Sequence, residues 1–426
     1  TCDSGPAAGL LGASFLARMY GLENVVTVDV GGTSTDIGLV AHGEPSFSEL
    51  RELSGVPIRE RFIESISIGG GGSSIARLQG KSKQLKVGPE SAGGIPGPAC
   101  YSLGGTNATV TDSWVTLGYI DPAYFLGGRR KLDSNLARAA IKKIVADPLN
   151  LTLEQAADAI VKEVNSQCGQ SVKEFISTKG VEAKDVTMFA FGGAGGLACS
   201  SIAKAAGVHK IYFFPFGAAF CAFGSSCTDV LHNYSVVKSL PLEPDSNSTT
   251  IQEFNRIVQE MTDDAHFDME GEGFEKGKVL LALEIVMVSE NSPSRTAIRW
   301  SPLLLKSETD VAALLNLYRE KVTPGTADDK VFVKEFRLKA SCHLPDPQFP
   351  SYTPAGKNPQ AALKGKRAAY YDGKFQDAQV YEQSLLKCGN IVKGLAFIES
   401  PSTTILVPPR SQYQVDQYLN GIMEEA

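Results

Sequence analysis

Hydrophobic positions over the first 235 residues come in short runs broken by glycine turns, and the runs alternate between helical and strand spacing. "SGPAAGLLGASFLARMYGLEN" predicts a helix. Ser4 is placed to cap it, Pro6 falls in its first turn, its small residues permit close approach to a sheet, and Gly21 ends it. "VVTVDVGGTSTDIGLVAHGEPSF" then predicts two buried strands joined by Gly31-Gly32. A helix follows at about 134–147. Another starts at Thr152, where Gln155 completes a capping box, and places Ala156, Ile160, Val164, Cys168, Val172 and Ile176 four apart as a core stripe. "VTMFAFGGAGGLACSSIAKAAGVHKIYFFPF" repeats the strand, glycine turn, helix and strand, with Gly207 closing the helix. This alternation predicts an α/β domain over residues 1–235.

Two departures punctuate that pattern. Residues 66–130 form a Gly-rich insertion ("ISIGGGGSSIARL", "VGPESAGGIPGPACYSLGGTNATVTDSW", "FLGGRR") too apolar for a linker, so ordered functional loops are expected there. Beyond about 236 a charged amphipathic helix (250–270), the buried strand "KVLLALEIVMV", a helix at 308–321 and "VFVKEFRLKA" predict an α+β region, 236–340. Pro-rich turns and short strands then predict a mainly-β C-terminal module, 341–426.

Composition narrows the function classes. A chain of 426 residues suggests two or three domains. A net charge of −6 and no basic cluster argue against nucleic acid or an anionic membrane as partner. No apolar run reaches the roughly 18 residues of a spanning helix. Eight dispersed cysteines without a secretory segment read as reduced thiols, which predicts a cytoplasmic protein. The sequence opens without an initiating Met, which reads as a processed, split or cut chain in preference to a free Thr1 nucleophile.

The candidate chemistry starts at "VDVGGTSTDIGLV". A Gly-Gly turn between strands exposes successive backbone N–H groups that bind anions. Gly31, Gly32, Thr33, Ser34 and Thr35 would supply amide and hydroxyl donors, and Asp29 is placed to hold Mg²⁺ or Mn²⁺ beside phosphate oxygens. A capped hairpin is the plain alternative. The second turn, "FAFGGAGG", opens a helix at Gly192, Gly193, Ala194 and Gly195 without the spacing of a dinucleotide loop. Two such turns about 160 residues apart fit a nucleotide held between two loops. Glu90 reads as a catalytic carboxylate or a loop anchor. Cys100, Asp112, Asp229 and His232 carry donors suited to Zn²⁺, without zinc-finger spacing.

"SGPAAG", "VDVGGTSTDIGLV", "IGGGGSSIA", "VGPESAGGIPGPACY", "TVTDSWVTLG", "FAFGGAGG" and "GLAFIESPSTTILVPP", in that order, resemble the A-type, ATP-binding subunit of the hydantoinase/oxoprolinase family. The resemblance covers nearly the whole chain and is weakest at about 236–390. It implies an actin/sugar-kinase-like (ribonuclease H-like) ATPase fold. It also implies ATP-driven opening of cyclic amides, such as hydantoins and 5-oxoproline, or biotin-independent carboxylation of ketones such as acetone and acetophenone. By this resemblance 28–40 is the second phosphate hairpin and 191–196 the adenosine-side turn. The first hairpin would lie in an N-terminal half, as a separate chain or a missing segment, and carbon chemistry would involve a B-type partner subunit. The family's usual "IGAGGGSIA" is here "IGGGGSSIA", and a typical "RYxGQ" after the 278–287 strand is here "VMVSENS", which weighs against a standard hydantoinase. "DMEGEGFEKGKVLLALEI" and "CTDVLHNYS" look closer to the ketone-carboxylase branch. The expected function is therefore an ATP-dependent ketone carboxylase subunit, with a cyclic-amide hydrolase as the alternative and a non-catalytic scaffold as the second.

Overall fold

A computed structural model describes residues 4–425, apart from 49–50, 54–55, 59–61, 244–247, 291 and 323–329. It divides into two compact units, Thr1–Cys227 with Pro347–Ala426, and Thr228–Asp346.

The first unit opens with helix α1 (Ser4–Tyr20), followed by strands β1 (Val25–Val30), β2 (Thr35–Ala41), β3 (Glu44–Pro45) and β4 (Ser65–Ile68). The Gly-rich stretch is built rather than loose. It holds the hairpin β5 (Ser74–Gln79) and β6 (Gln84–Ser91), then helix α2 (Val110–Thr116), on which Thr109 and Asp112 form a complete capping box. After α3 (Ser134–Ile141) comes α4 (Leu153–Thr178). Its Thr152–Gln155 capping box forms as the sequence predicts, and its stripe from Ala156 to Ile176 is buried. β7 (Thr187–Phe191), α5 (Gly195–Ala206) and β8 (Lys210–Phe213) follow, Gly207 closing α5 in the left-handed region.

Strands β9 (Val230–Leu242), β10 (Leu280–Ser289), β11 (Ser292–Trp300) and β12 (Val331–Cys342) form the sheet of the second unit, in the order β9-β12-β10-β11. Helices α6 (Ser248–Gly271) and α7 (Glu308–Lys321) pack on it around Phe254, Leu314 and Phe336. The boundary expected near 235 is crossed by the continuous strand β9.

The expected third module does not stand apart. Residues after Pro347 return to the first unit as β13 (Leu363–Tyr371), β14 (Lys374–Glu382), β15 (Ile391–Lys393), β16 (Ala396–Glu399), β17 (Thr404–Val407), β18 (Ser411–Val415) and β19 (Gly421–Glu425). The main sheet runs β15-β18-β19-β8-β7-β1-β2-β3, with β4 also on β2. β19 pairs antiparallel with β8, Met423 opposite Ile211, and so covers an edge that the N-terminal residues alone would leave unpaired. Strands β13, β14, β16 and β17 make a second sheet that shares the same core. Strand periodicity identified these segments, but pairing partners more than 200 residues away leave no local signal. Among the described residues, no helix is long and apolar enough to cross a membrane.

Candidate functional site

β1 is flanked on one side by β2, antiparallel, and on the other by β7, parallel, with Asp29 in register with both Asp36 and Phe191. This topology brings the ends of β1 and β7 side by side and thereby joins the two glycine turns. At the first, the Gly31 amide donates to the Ser34 carbonyl at 2.9 Å. The 69–73 stretch lies directly against it: the Gly72 and Ser73 amides donate to the carbonyls of Gly31 (3.0 Å) and Gly32 (2.6 Å). A Cβ on Gly71 would stand 2.7 Å from the Gly31 oxygen, so the close approach needs glycine there. The second turn needs it for two reasons. Gly192 has φ +82°, and a Cβ would meet an Asp29 carboxylate oxygen at 2.3 Å.

Both turns open on one cleft of about 200 Å³ within the first unit, lined by Gly31, Gly32, Gly193 and Ala194 on the turn side. An aromatic wall of Tyr101, Trp114, Tyr124 and Phe125 forms a second part of the lining, and residues Glu399–Thr404 form a third. Among the described residues lining it there is no lysine or arginine. An anion bound here would meet backbone amides and the N-terminus of α5, not a side-chain cation.

The amides are unequally available. Those of Gly192, Ala194 and Gly195 donate to carbonyls of Gly217, Val30 and Gly192, at 3.1, 3.0 and 3.2 Å. Among the described residues no acceptor is assigned to the amides of Gly32, Thr33, Ser34 or Gly193. Thr35 points elsewhere: it is fully buried, and its hydroxyl donates to the Gly70 carbonyl, tying the hairpin to the 69–73 stretch. The Thr33 hydroxyl accepts from Ser91 at 3.2 Å.

Asp29 does not line the cleft. Its carboxylate sits against Gly192 and accepts from the Cys221 thiol at 3.4 Å. Burial raises its pKa, the Cys221 hydrogen bond opposes this, and Asp36 across the hairpin raises it further. Burial and the neighbouring Asp29 push the Cys221 thiol up to about 12, so it stays protonated and donates. Glu90 lies on β6, exposed, paired with Arg77 and outside the cleft lining.

The four-residue zinc constellation is not assembled. Asp112 is buried and accepts from the amides of Ala99, Cys100 and Thr109 and from the Thr109 hydroxyl, a capping role that engages both oxygens. Burial, with Asp112 beside it, keeps the Cys100 thiol protonated. In the second unit Asp229 pairs with His343 at 2.8 Å and His232 with Glu272 at 3.0 Å. Among the described residues no group of three His, Cys, Asp or Glu could hold a metal ion. These residues do not fit Zn²⁺.

Two parts of the site are covered in the sequence only as segments and not as site residues: the aromatic wall, within the 66–130 stretch of expected functional loops, and the 399–404 turn, within "GLAFIESPSTTILVPP". The signals for them were present. "GYIDPAYFLGG" carries Tyr124 and Phe125, "PGPACY" and "TVTDSW" end on Tyr101 and Trp114, and "ESPSTT" is a hydroxyl-rich turn between two buried strands. Glu399 is 2 % exposed and bound by Lys364 (2.8 Å) and Arg367 (2.7 Å), while Lys364 lies over the Tyr124 ring at 3.5 Å. The ion pairs thus link the 399–404 turn to the aromatic wall.

Family models described as "Hydantoinase/oxoprolinase" and "Hydantoinase/oxoprolinase C-terminal domain" match residues 1–234 and 242–420. The acetophenone carboxylase gamma subunit of Aromatoleum aromaticum is 34 % identical over 442 residues, spanning 100 % of this chain and 59 % of that protein. The caprolactamase subunit alpha of Pseudomonas jessenii is 30 % identical over 427 residues, spanning 97 % and 60 %. A nucleotide-free structure of acetone carboxylase superimposes with TM-score 0.91 at 26 % identity, over 99 % of this chain and 61 % of that one. The chain therefore spans about 60 % of the length of these relatives. With both family models matched in sequence, the chain belongs to the hydantoinase/oxoprolinase family.

Proposed function

We propose that the chain is the ATP-binding part of a multi-subunit, biotin-independent ketone carboxylase. The observation that carries this reading is the convergence of Gly31-Gly32 and Gly193-Ala194 on one cleft, from the ends of adjacent parallel strands. Phosphate oxygens fit the amides of the first turn, the end of α5 suits the rest of an anionic ligand, and the aromatic wall suits a purine face. In this reading the main sheet is one half of an actin/sugar-kinase-like ATPase. The remainder of the ATP site then belongs to the part of the relatives that this chain does not span.

Among the described residues lining the cleft there is no lysine or arginine, so a divalent ion accompanying the nucleotide would balance its phosphate charge. Asp29 and Asp36, in register across the hairpin but outside the cleft lining, are oxygen donors that would reach Mg²⁺ or Mn²⁺ at the phosphates through water. Like charges directly opposite on paired strands repel, and a bound cation relieves that repulsion. The ion would neutralise phosphate charge during transfer. The chain's own contribution is to orient the nucleotide through fixed amides that need no reorganisation as charge moves. Phosphoryl transfer would activate bicarbonate or the ketone, and the carbon–carbon bond would form with a B-type partner subunit.

Cyclic-amide hydrolysis is the second reading, favoured by the 30 % identity to a caprolactamase subunit. ATP hydrolysis by the full protein with its partner subunits separates the two. Phosphate release that requires bicarbonate and a ketone supports the carboxylase. Release stimulated by a lactam or hydantoin without bicarbonate supports the hydrolase. A complex that binds no ATP would make the chain a scaffold.

A further inference from the structure

The turn between β16 and β17 reaches back 210 residues in sequence to the second glycine turn: the Thr403 hydroxyl donates to the Gly193 carbonyl at 3.1 Å. Three features make this a built contact. The turn is internally braced, since the Ser400 amide donates to the Thr403 carbonyl at 2.9 Å and the Ser400 hydroxyl accepts from the Thr403 amide at 3.2 Å. Its base is anchored by the buried Glu399 and the cations of Lys364 and Arg367. The helix it touches is shaped to receive it, because a Cβ on Gly196 would lie 2.4 Å from the Thr404 carbonyl oxygen.

The bond fixes one particular peptide. The Gly193–Ala194 plane is held at both ends, its carbonyl by Thr403 and its N–H by the Val30 carbonyl at 3.0 Å. In the Gly192–Gly195 turn, Gly193 carries the one amide without an assigned acceptor among the described residues, and Gly193 lines the cleft. The peptide that carries this amide is itself held at one point, the Gly192 carbonyl accepting from the Gly195 amide at 3.2 Å, and pinning the next peptide restricts the freedom that Gly193 leaves to it.

We propose that Thr403 is a positioning residue for the ligand of this cleft: by holding the Gly193 carbonyl it aims the Gly193 amide at a nucleotide oxygen. The proposal rests on the nucleotide reading of the cleft. The C-terminal β16–β17 hairpin then forms part of the nucleotide site.

The test is nucleotide affinity and steady-state kinetics of the full protein with its partner subunits, using Mg²⁺ and a non-hydrolysable ATP analogue for binding. Thr403→Val is expected to weaken binding and raise KM for ATP by about tenfold, the effect of one lost hydrogen bond, with kcat within about twofold. Thr403→Ser, which keeps the hydroxyl, should stay within about twofold of the unsubstituted protein in both. Ser400→Ala, which loosens the turn without touching Gly193, should fall between them and serves if Thr403→Val does not fold. Unchanged affinity in Thr403→Val, or equal losses in Thr403→Ser and Thr403→Val, overturns the role of Thr403 alone. No nucleotide binding by the unsubstituted complex overturns the nucleotide reading and the role of Thr403 with it.

Discussion

Cys168 shows how one side chain links the core to the site. It lies on the buried stripe of α4, its sulfur 3.8 Å from the Thr35 hydroxyl and 3.9 Å from the Gly70 carbonyl. Gly70 permits this contact, since a Cβ there would meet the sulfur at 2.9 Å. The four-residue spacing identified Cys168 as core. Its position beneath the hairpin needed the fold, because nothing local says which turn a helix faces. Burial pushes the thiol up to about 11 from an ordinary 9.0, with the Thr35 hydrogen bond opposing. A raised folded-state value means that the native state holds the proton more tightly. The contribution is therefore full below pH 9 and lost as pH rises through about 11. Chemical denaturation across that window should show the unsubstituted protein losing stability faster than Cys168→Ala, by up to about 1.4 kcal/mol per pH unit. Parallel slopes would mean that the thiol titrates normally. Thr35 illustrates the opposite outcome. The sequence placed it among the phosphate donors, whereas alternation along β2 turns it inward, and its hydroxyl serves the Gly70 carbonyl.

At the scale of elements, capping and periodicity made α1, α4, α5 and α7 legible, each with a cap or a closing glycine in the sequence. The hairpin pairing of β1 with β2 was legible, but strand partners distant in sequence were not, and the 399–404 turn was missed for that reason. β16 is parallel to β14 and antiparallel to β17, pairings that hydropathy does not encode. The anchor of this hairpin is electrostatic. Glu399 is 2 % exposed, Arg367 retains 17 % of its side-chain exposure and Lys364 31 %. Removing the carboxylate leaves the half-buried Arg367 without a charge partner among the described residues, while Lys364 keeps Glu382 at 3.4 Å. Glu399→Ala should cost about 3 kcal/mol, the lower end for a broken buried pair because Lys364 remains partly solvated. Replacing Glu399, Lys364 and Arg367 together by apolar residues of similar size should cost less than that single change. Urea unfolding of both variants measures the difference. A Glu399→Ala variant as stable as the unsubstituted protein would show the ion pairs to be dispensable.

At the scale of the molecule, the chain leaves the first unit after Cys227, builds a second around its own core, and returns at Pro347 to complete the sheet it left. Composition shifts put a change of character near 236, inside strand β9, whereas the second unit starts at Thr228. They could not show that the last 80 residues rejoin the first sheet, because the apolar spacing of β18 and β19 would suit any sheet edge equally well. Residues 228–346 contain every strand and helix of the second unit, so that segment expressed alone should unfold cooperatively by calorimetry and far-ultraviolet circular dichroism. A non-cooperative melt would mean that its core depends on the first unit.

The glycine turns, the braced 399–404 hairpin and the aromatic wall together make one cleft, and its assignment to a nucleotide is the claim on which the proposed activity depends. The most direct measurement is a structure of the full protein with its partner subunits, Mg²⁺ and a non-hydrolysable ATP analogue. The expected result is phosphate oxygens against the amides near Gly32 and the nucleoside between Gly193, the 399–404 turn and the aromatic wall. A nucleotide bound elsewhere, with this cleft filled by protein side chains, would contradict it.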